Sequence, residues 1–123
     1  MTAFRASVLF LAIMAAPQAH ALTNGNDLLD QCGEVSKAEA NSDIDDIDFG
    51  LCIGYIDGFS DMAMLFGAYD TQKEHSIFCI PDGVTGDQLM RIAVQYLSNN
   101  PQTLHLPAAV LVATAFKEAF PCN

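Results

Sequence analysis

Four cysteines, Cys32, Cys52, Cys79 and Cys122, constrain this chain more than any other feature of its sequence. They stand 20, 27 and 43 residues apart, and all lie beyond an N-terminal stretch that reads as an export signal. That stretch opens with one positive side chain, Arg5, and continues with an eleven-residue apolar run, Ala6 to Ala16. Pro17 then precedes Ala19-His20-Ala21, a small-x-small cleavage site. A run of eleven is too short to span a bilayer as a helix, and a soluble helix would show a polar face. The expectation is a secretory signal peptide over 1–21, cleaved after Ala21, with the bacterial periplasm as destination. No cysteine directly follows the cleavage site, so a lipid anchor is not indicated. An even number of cysteines in a small exported domain argues for two disulfides. Structural zinc sites bring ligands in pairs two to four residues apart, and these cysteines are spread too widely for that.

Residues 22–123 are enough for one domain with a modest core, and its patterning is helical. A first helix starts at Thr23 or Asn24, either suited to cap it, and runs through Leu28, Leu29 and Cys32 until Gly33 weakens it. Residues 34–48 carry six acids and few apolar side chains, which reads as a solvated connection. A second helix begins near Phe49, with apolar residues at Leu51, Tyr55, Phe59, Met62 and Phe66, the helical period, and stops at Gly67. Thr85 and Gln88 form a capping-box pattern that opens a third helix, with Leu89, Ile92, Ala93, Tyr96 and Leu97 as its inner stripe. Pro101 closes it. Pro107 suits a first helical turn, and Ala108, Leu111, Val112, Ala115, Phe116 and Ala119 give a fourth helix its core face. No segment alternates with period two, so the fold class is all-α: a small four-helix bundle with two disulfides. Short connections make neighbouring helices antiparallel. That geometry favours Cys32–Cys52 and Cys79–Cys122, with the other two connectivities left open.

Charge narrows the partners. The formal net charge is −10, and every one of the 15 acidic residues lies after Ala21. Nucleic acid and anionic lipid are poor partners for such a surface, whereas a basic protein is steered towards it.

A catalytic set is not legible. Past the signal only His75 and His105 remain, without HExxH spacing, a nucleophile elbow or a phosphate-cradling glycine loop. The acidic run from Asp43 to Asp48 fails the calcium-loop register: counted from Asp43, the sixth position is Asp48 instead of glycine and the twelfth is Gly54 instead of an acid. No cofactor or metal is expected, and no enzyme.

The segment Cys52-Ile53-Gly54-Tyr55-Ile56-Asp57-Gly58-Phe59 places two glycines four apart inside a helix, where each costs about 0.5–1 kcal/mol relative to alanine. Gly54 and Gly58 share a face, and close approach of another helix is the expected reason. Packing within the chain is favoured over a dimer seam. Three further patterns accompany them: Cys79-Ile80-Pro81-x-Gly83-Val84-Thr85-x-x-Gln88-Leu89, Tyr96-Leu97-x-x-x-Pro101, and Ala115-Phe116-x-x-x-Phe120-Pro121-Cys122. Together, from Leu28 onward, they resemble the Rap/Tai family of immunity proteins associated with type VI secretion amidase toxins.

The resemblance implies a small exported helical protein, disulfide-linked and often homodimeric, that binds a cell-wall amidase and blocks its cleft without chemistry of its own. The motif residues look structural. The partner-binding surface is therefore expected in a long exposed connection, with Tyr69, Asp70, Gln72, Lys73, Glu74 and His75 first and the Asn99–Leu106 connection second. The alternative from size and acidity is a periplasmic stress protein or acid-type holdase chaperone of HdeA-like helical character, opening as its carboxylates protonate.

Overall fold

The computed structural model describes residues 23–37, 46–69 and 76–122. The expected signal segment, residues 1–21, lies outside them. Four helices follow in chain order: α1 Gly25–Lys37, α2 Asp46–Tyr69, α3 Gly86–Asn99 and α4 Ala108–Ala119, with a 3-10 turn at Pro101–Thr103 between the last two. Among the described residues there is no strand, only an isolated antiparallel bridge between Asn24 and Pro107.

Local chemistry sets the helix starts. Asn24 caps α1: its Oδ1 accepts from the backbone N–H groups of Asn26 (2.8 Å) and Asp27 (3.1 Å), while Asp27 accepts from the Asn24 N–H (3.3 Å). Two otherwise orphaned donors are thereby satisfied reciprocally. Thr85 caps α3 as the capping box predicts, its hydroxyl accepting from the Gln88 N–H at 3.3 Å. Proline at position 107 stands just ahead of α4, where a missing N–H costs nothing.

Three boundaries differ from expectation. α1 continues through Gly33 to Lys37, and α2 begins at Asp46. Residues 38–45 of the expected connection lie outside the described residues. Asp48 favours the earlier start, because an acid in a first turn complements the helix dipole. α2 also passes Gly67 and ends at Tyr69, a reminder that an interior glycine weakens a helix without ending it.

The core sits where α1 and α3 meet α2 and α4. Leu28, Cys32, Cys52, Ile56, Val112 and Phe116 have no exposed surface. Phe116 anchors an aromatic cluster with Phe59 and Phe78, ring centroids 5.5–6.1 Å apart, two of the three contacts edge-to-face. The inner face of α4 is as predicted for Ala108, Leu111, Val112, Ala115 and Phe116, whereas Ala119 is exposed. In α3, Leu89, Ala93 and Leu97 are buried with Met90, and Ile92 and Tyr96 are half-buried.

Both disulfides form as expected, Cys32–Cys52 tying α1 to α2 and Cys79–Cys122 tying the α2–α3 connection to the C-terminal end of α4. They close loops of 20 and 43 residues. By the chain-entropy argument these are worth about 3 and about 4 kcal/mol.

Among the described residues, close approach by glycine occurs at Gly25 and Gly86, and not at Gly54 or Gly58. A Cβ on buried Gly25 would meet Leu111 Cδ1 and lie 2.9 Å from the Leu104 carbonyl oxygen. Gly25 and Asn26 donate to the Leu106 and Leu104 carbonyls (both 3.1 Å), drawing the start of α1 against the α3–α4 connection. The second place is Gly86, against Asp57. Gly54 and Gly58 are exposed, and a Cβ on either would meet nothing within 4 Å among the described residues. Among the described residues, no helix makes the close approach expected at either of them. α2 buries the face carrying Cys52, Ile56 and Ser60, and the glycines lie on the opposite side.

Candidate functional site: an acidic groove beside the second helix

Between α2 and the segment 76–86 runs an open groove of about 750 Å³. Its apolar lining includes Ala63, Phe78, Ile80, Val84 and Leu89, and three carboxylates, Asp57, Asp61 and Asp82, border it. All three acids are exposed, and among the described residues none is paired with a cation. The one described ion pair nearby, Arg91 with Asp87 at 2.8 Å, joins two exposed side chains one turn apart on α3; such a pair contributes little to stability.

Each wall has a local cause. Asp57 and Asp61 are four apart and so share one face of α2. The opposite wall is held by the Cys79–Cys122 disulfide, by the Cys79 N–H donating to the Phe120 carbonyl at 2.9 Å, and by Phe78 packed on Phe59 and Phe116. Ser60, at the base, is buried and donates to the Ile56 carbonyl at 2.8 Å, which satisfies its hydroxyl. The arrangement offers negative charge over an apolar floor. It suits a cationic, partly apolar segment of a partner.

Of the expected partner-binding residues, Tyr69 ends α2, while Asp70, Gln72, Lys73, Glu74 and His75 lie outside the described residues. Ser76, where description resumes, lines the groove. In the second expected surface, Asn99–Leu106, the residues Asn99, Pro101, Gln102, His105 and Leu106 are exposed. Its Leu104 is buried, and Leu104 and Leu106 accept bonds from the start of α1. Sequence reading missed Asp57, Asp61 and Asp82 as a set. The i,i+4 pair was visible, but its proximity to a turn more than twenty residues on was not.

The family model of the Rap1a immunity proteins matches residues 24–122, which takes in all four helices and both disulfides. The chain belongs to this family. No curated protein and no solved structure matches it. Membership of the Rap1a immunity family implies an inhibitor that recognises a secreted toxin. The resemblance drawn from the glycine and cysteine motifs is thereby confirmed at the level of the family.

Proposed function

We propose that this protein is exported by cleavage after Ala21, resides in the periplasm, and there binds a peptidoglycan amidase delivered by type VI secretion, occluding its active-site cleft. The observation that carries the proposal is the family match across residues 24–122 on a disulfide-braced bundle. Two oxidised cysteine pairs fit an extracytoplasmic compartment. Contact is made by the connection from Tyr69 to Ser76 together with the bordering groove, whose Asp57, Asp61 and Asp82 supply charge complementary to a basic toxin surface. Electrostatic complementarity of this kind chiefly raises the association rate and selects the partner.

The test is rescue of toxicity. Candidate amidases are directed to the periplasm with and without this protein. Restored growth with one of them supports the proposal, and lysis unaffected by co-expression with every type VI amidase tried refutes it.

A further inference from the structure

The two disulfides stand in opposite surroundings. Cys32 and Cys52 have no exposed surface and join α1 to α2 inside the core. Cys79 and Cys122 are both exposed, and both line the groove.

The wall that Cys79–Cys122 holds has few other attachments. From Ser76 to Val84 no residue is buried. Among the described residues, one backbone hydrogen bond joins this stretch to the rest of the fold, from the Cys79 N–H to the Phe120 carbonyl at 2.9 Å. Phe78 adds its ring contacts with Phe59 and Phe116. The core, by contrast, does not depend on this wall: Leu28, Cys32, Cys52, Ile56, Val112 and Phe116, all without exposed surface, belong to the helices. A stretch with little buried surface and few hydrogen bonds opens at low free energy. The covalent link is therefore what keeps the wall in place.

We propose that Cys79–Cys122 is a site of thiol–disulfide exchange that controls the groove. Reduction by a dithiol frees the 76–84 wall, while the bundle tied by Cys32–Cys52 stays folded. A thiolate of the dithiol attacks one sulfur of the pair, and the other sulfur leaves as a thiolate that takes up a proton. The second thiol of the reductant then resolves the mixed disulfide. Two electrons pass to the pair, giving two cysteine thiols and the reductant as its disulfide. The consequence for toxin binding rests on the role proposed above for the groove, whereas the exchange and the release of the wall do not. Coupling of this kind is reciprocal: a toxin that binds the closed groove tenfold tighter makes the pair tenfold harder to reduce. Its reduction potential then falls by about 30 mV.

The experiment uses the purified protein with both disulfides formed and dithiothreitol as the dithiol. Thiols released at limiting reductant are alkylated, and the species carrying labels on Cys79 and Cys122 alone is isolated. Amide hydrogen exchange over 76–84 should speed up by about tenfold or more, with α1 and α3 unchanged and the helical circular dichroism retained. The double variant Cys79→Ser with Cys122→Ser should exchange in the same way without any alkyl group and should not respond to reductant. An amidase toxin identified by the rescue experiment should bind both species about tenfold more weakly than the oxidised protein. Labelling of Cys32 and Cys52 at the same reductant concentration, or unchanged exchange over 76–84, would overturn the inference. Loss of the helical signal once Cys79–Cys122 alone is open would do so as well, because the link would then brace the whole fold. Faster exchange with undiminished toxin binding would overturn the control of binding. The exchange measurement needs no toxin, so the release of the wall is decided even if the amidase reading fails.

Discussion

The Asp57 carboxylate of α2 lies against Gly86 at the start of α3, its Oδ1 only 2.7 Å from where a Cβ would be. Gly25 makes the same kind of approach to the Leu104 backbone, 2.9 Å from its carbonyl oxygen. The two glycines differ in what would have to move. At Gly86 it is the free end of an exposed side chain; at Gly25 it is main chain fixed by two hydrogen bonds. Gly86→Ala should therefore leave stability within about 1 kcal/mol of wild type. Gly25→Ala should cost about 1–3 kcal/mol as an overpacked site. Urea unfolding of the two variants side by side measures the contrast.

The aromatic cluster supplies a second test. Phe116 is wholly buried and contacts both Phe59 and Phe78. Phe116→Ala should lower stability by about 3–5 kcal/mol, a large part of what a domain of this size has. Because Phe78 forms part of the groove wall, toxin binding by the surviving folded fraction should weaken too. A shift of under 1 kcal/mol in urea unfolding would place the core elsewhere.

These features show what a single sequence reveals. Helical period, the Thr85–Gln88 capping box and the cysteine spacing are local or nearly so, and they led to the four helices and the two disulfides. The orientation of α2 was not legible. Its apolar residues surround the axis, so Leu51, Met62 and Phe66 read as well as Cys52 and Ile56 for the inner face. Gly54 and Gly58 attract notice because they sit in a motif, yet Gly25 and Gly86 meet the close contacts. Those contacts join residues far apart in the chain, Gly25 to Leu104 and Gly86 to Asp57. The groove escaped for the same reason, since Asp82 joins Asp57 and Asp61 only after the chain folds back.

The two disulfides should differ in reactivity. Cys32 and Cys52 are wholly buried, whereas Cys79 and Cys122 are exposed. Access of an attacking thiolate governs exchange, so limited reductant should open Cys79–Cys122 first. Alkylation followed by peptide mass spectrometry should find the label on Cys79 and Cys122 while Cys32 and Cys52 remain paired. Equal labelling of all four at early times would be inconsistent with this burial pattern.

Charge at the groove can be separated from shape. Replacing Asp57, Asp61 and Asp82 together by asparagine keeps size and removes three exposed carboxylates with no cation partner among the described residues. The urea midpoint should stay where it is, because no ion pair among the described residues is lost. Association with a basic toxin should slow by about tenfold at low salt and lose most of its salt dependence. Stopped-flow mixing at several ionic strengths reads both effects.

The central claim is inhibition by occupation, without chemistry. Its most direct measurement is titration, with the purified protein, of an amidase toxin identified by the rescue experiment, following hydrolysis of peptidoglycan fragments. The account predicts that activity falls in proportion to added protein and vanishes at one binding site per toxin, with the protein recovered unchanged in mass and both disulfides intact. Hydrolysis undiminished in the presence of a large excess, or turnover of the fragments by this protein alone, would contradict it.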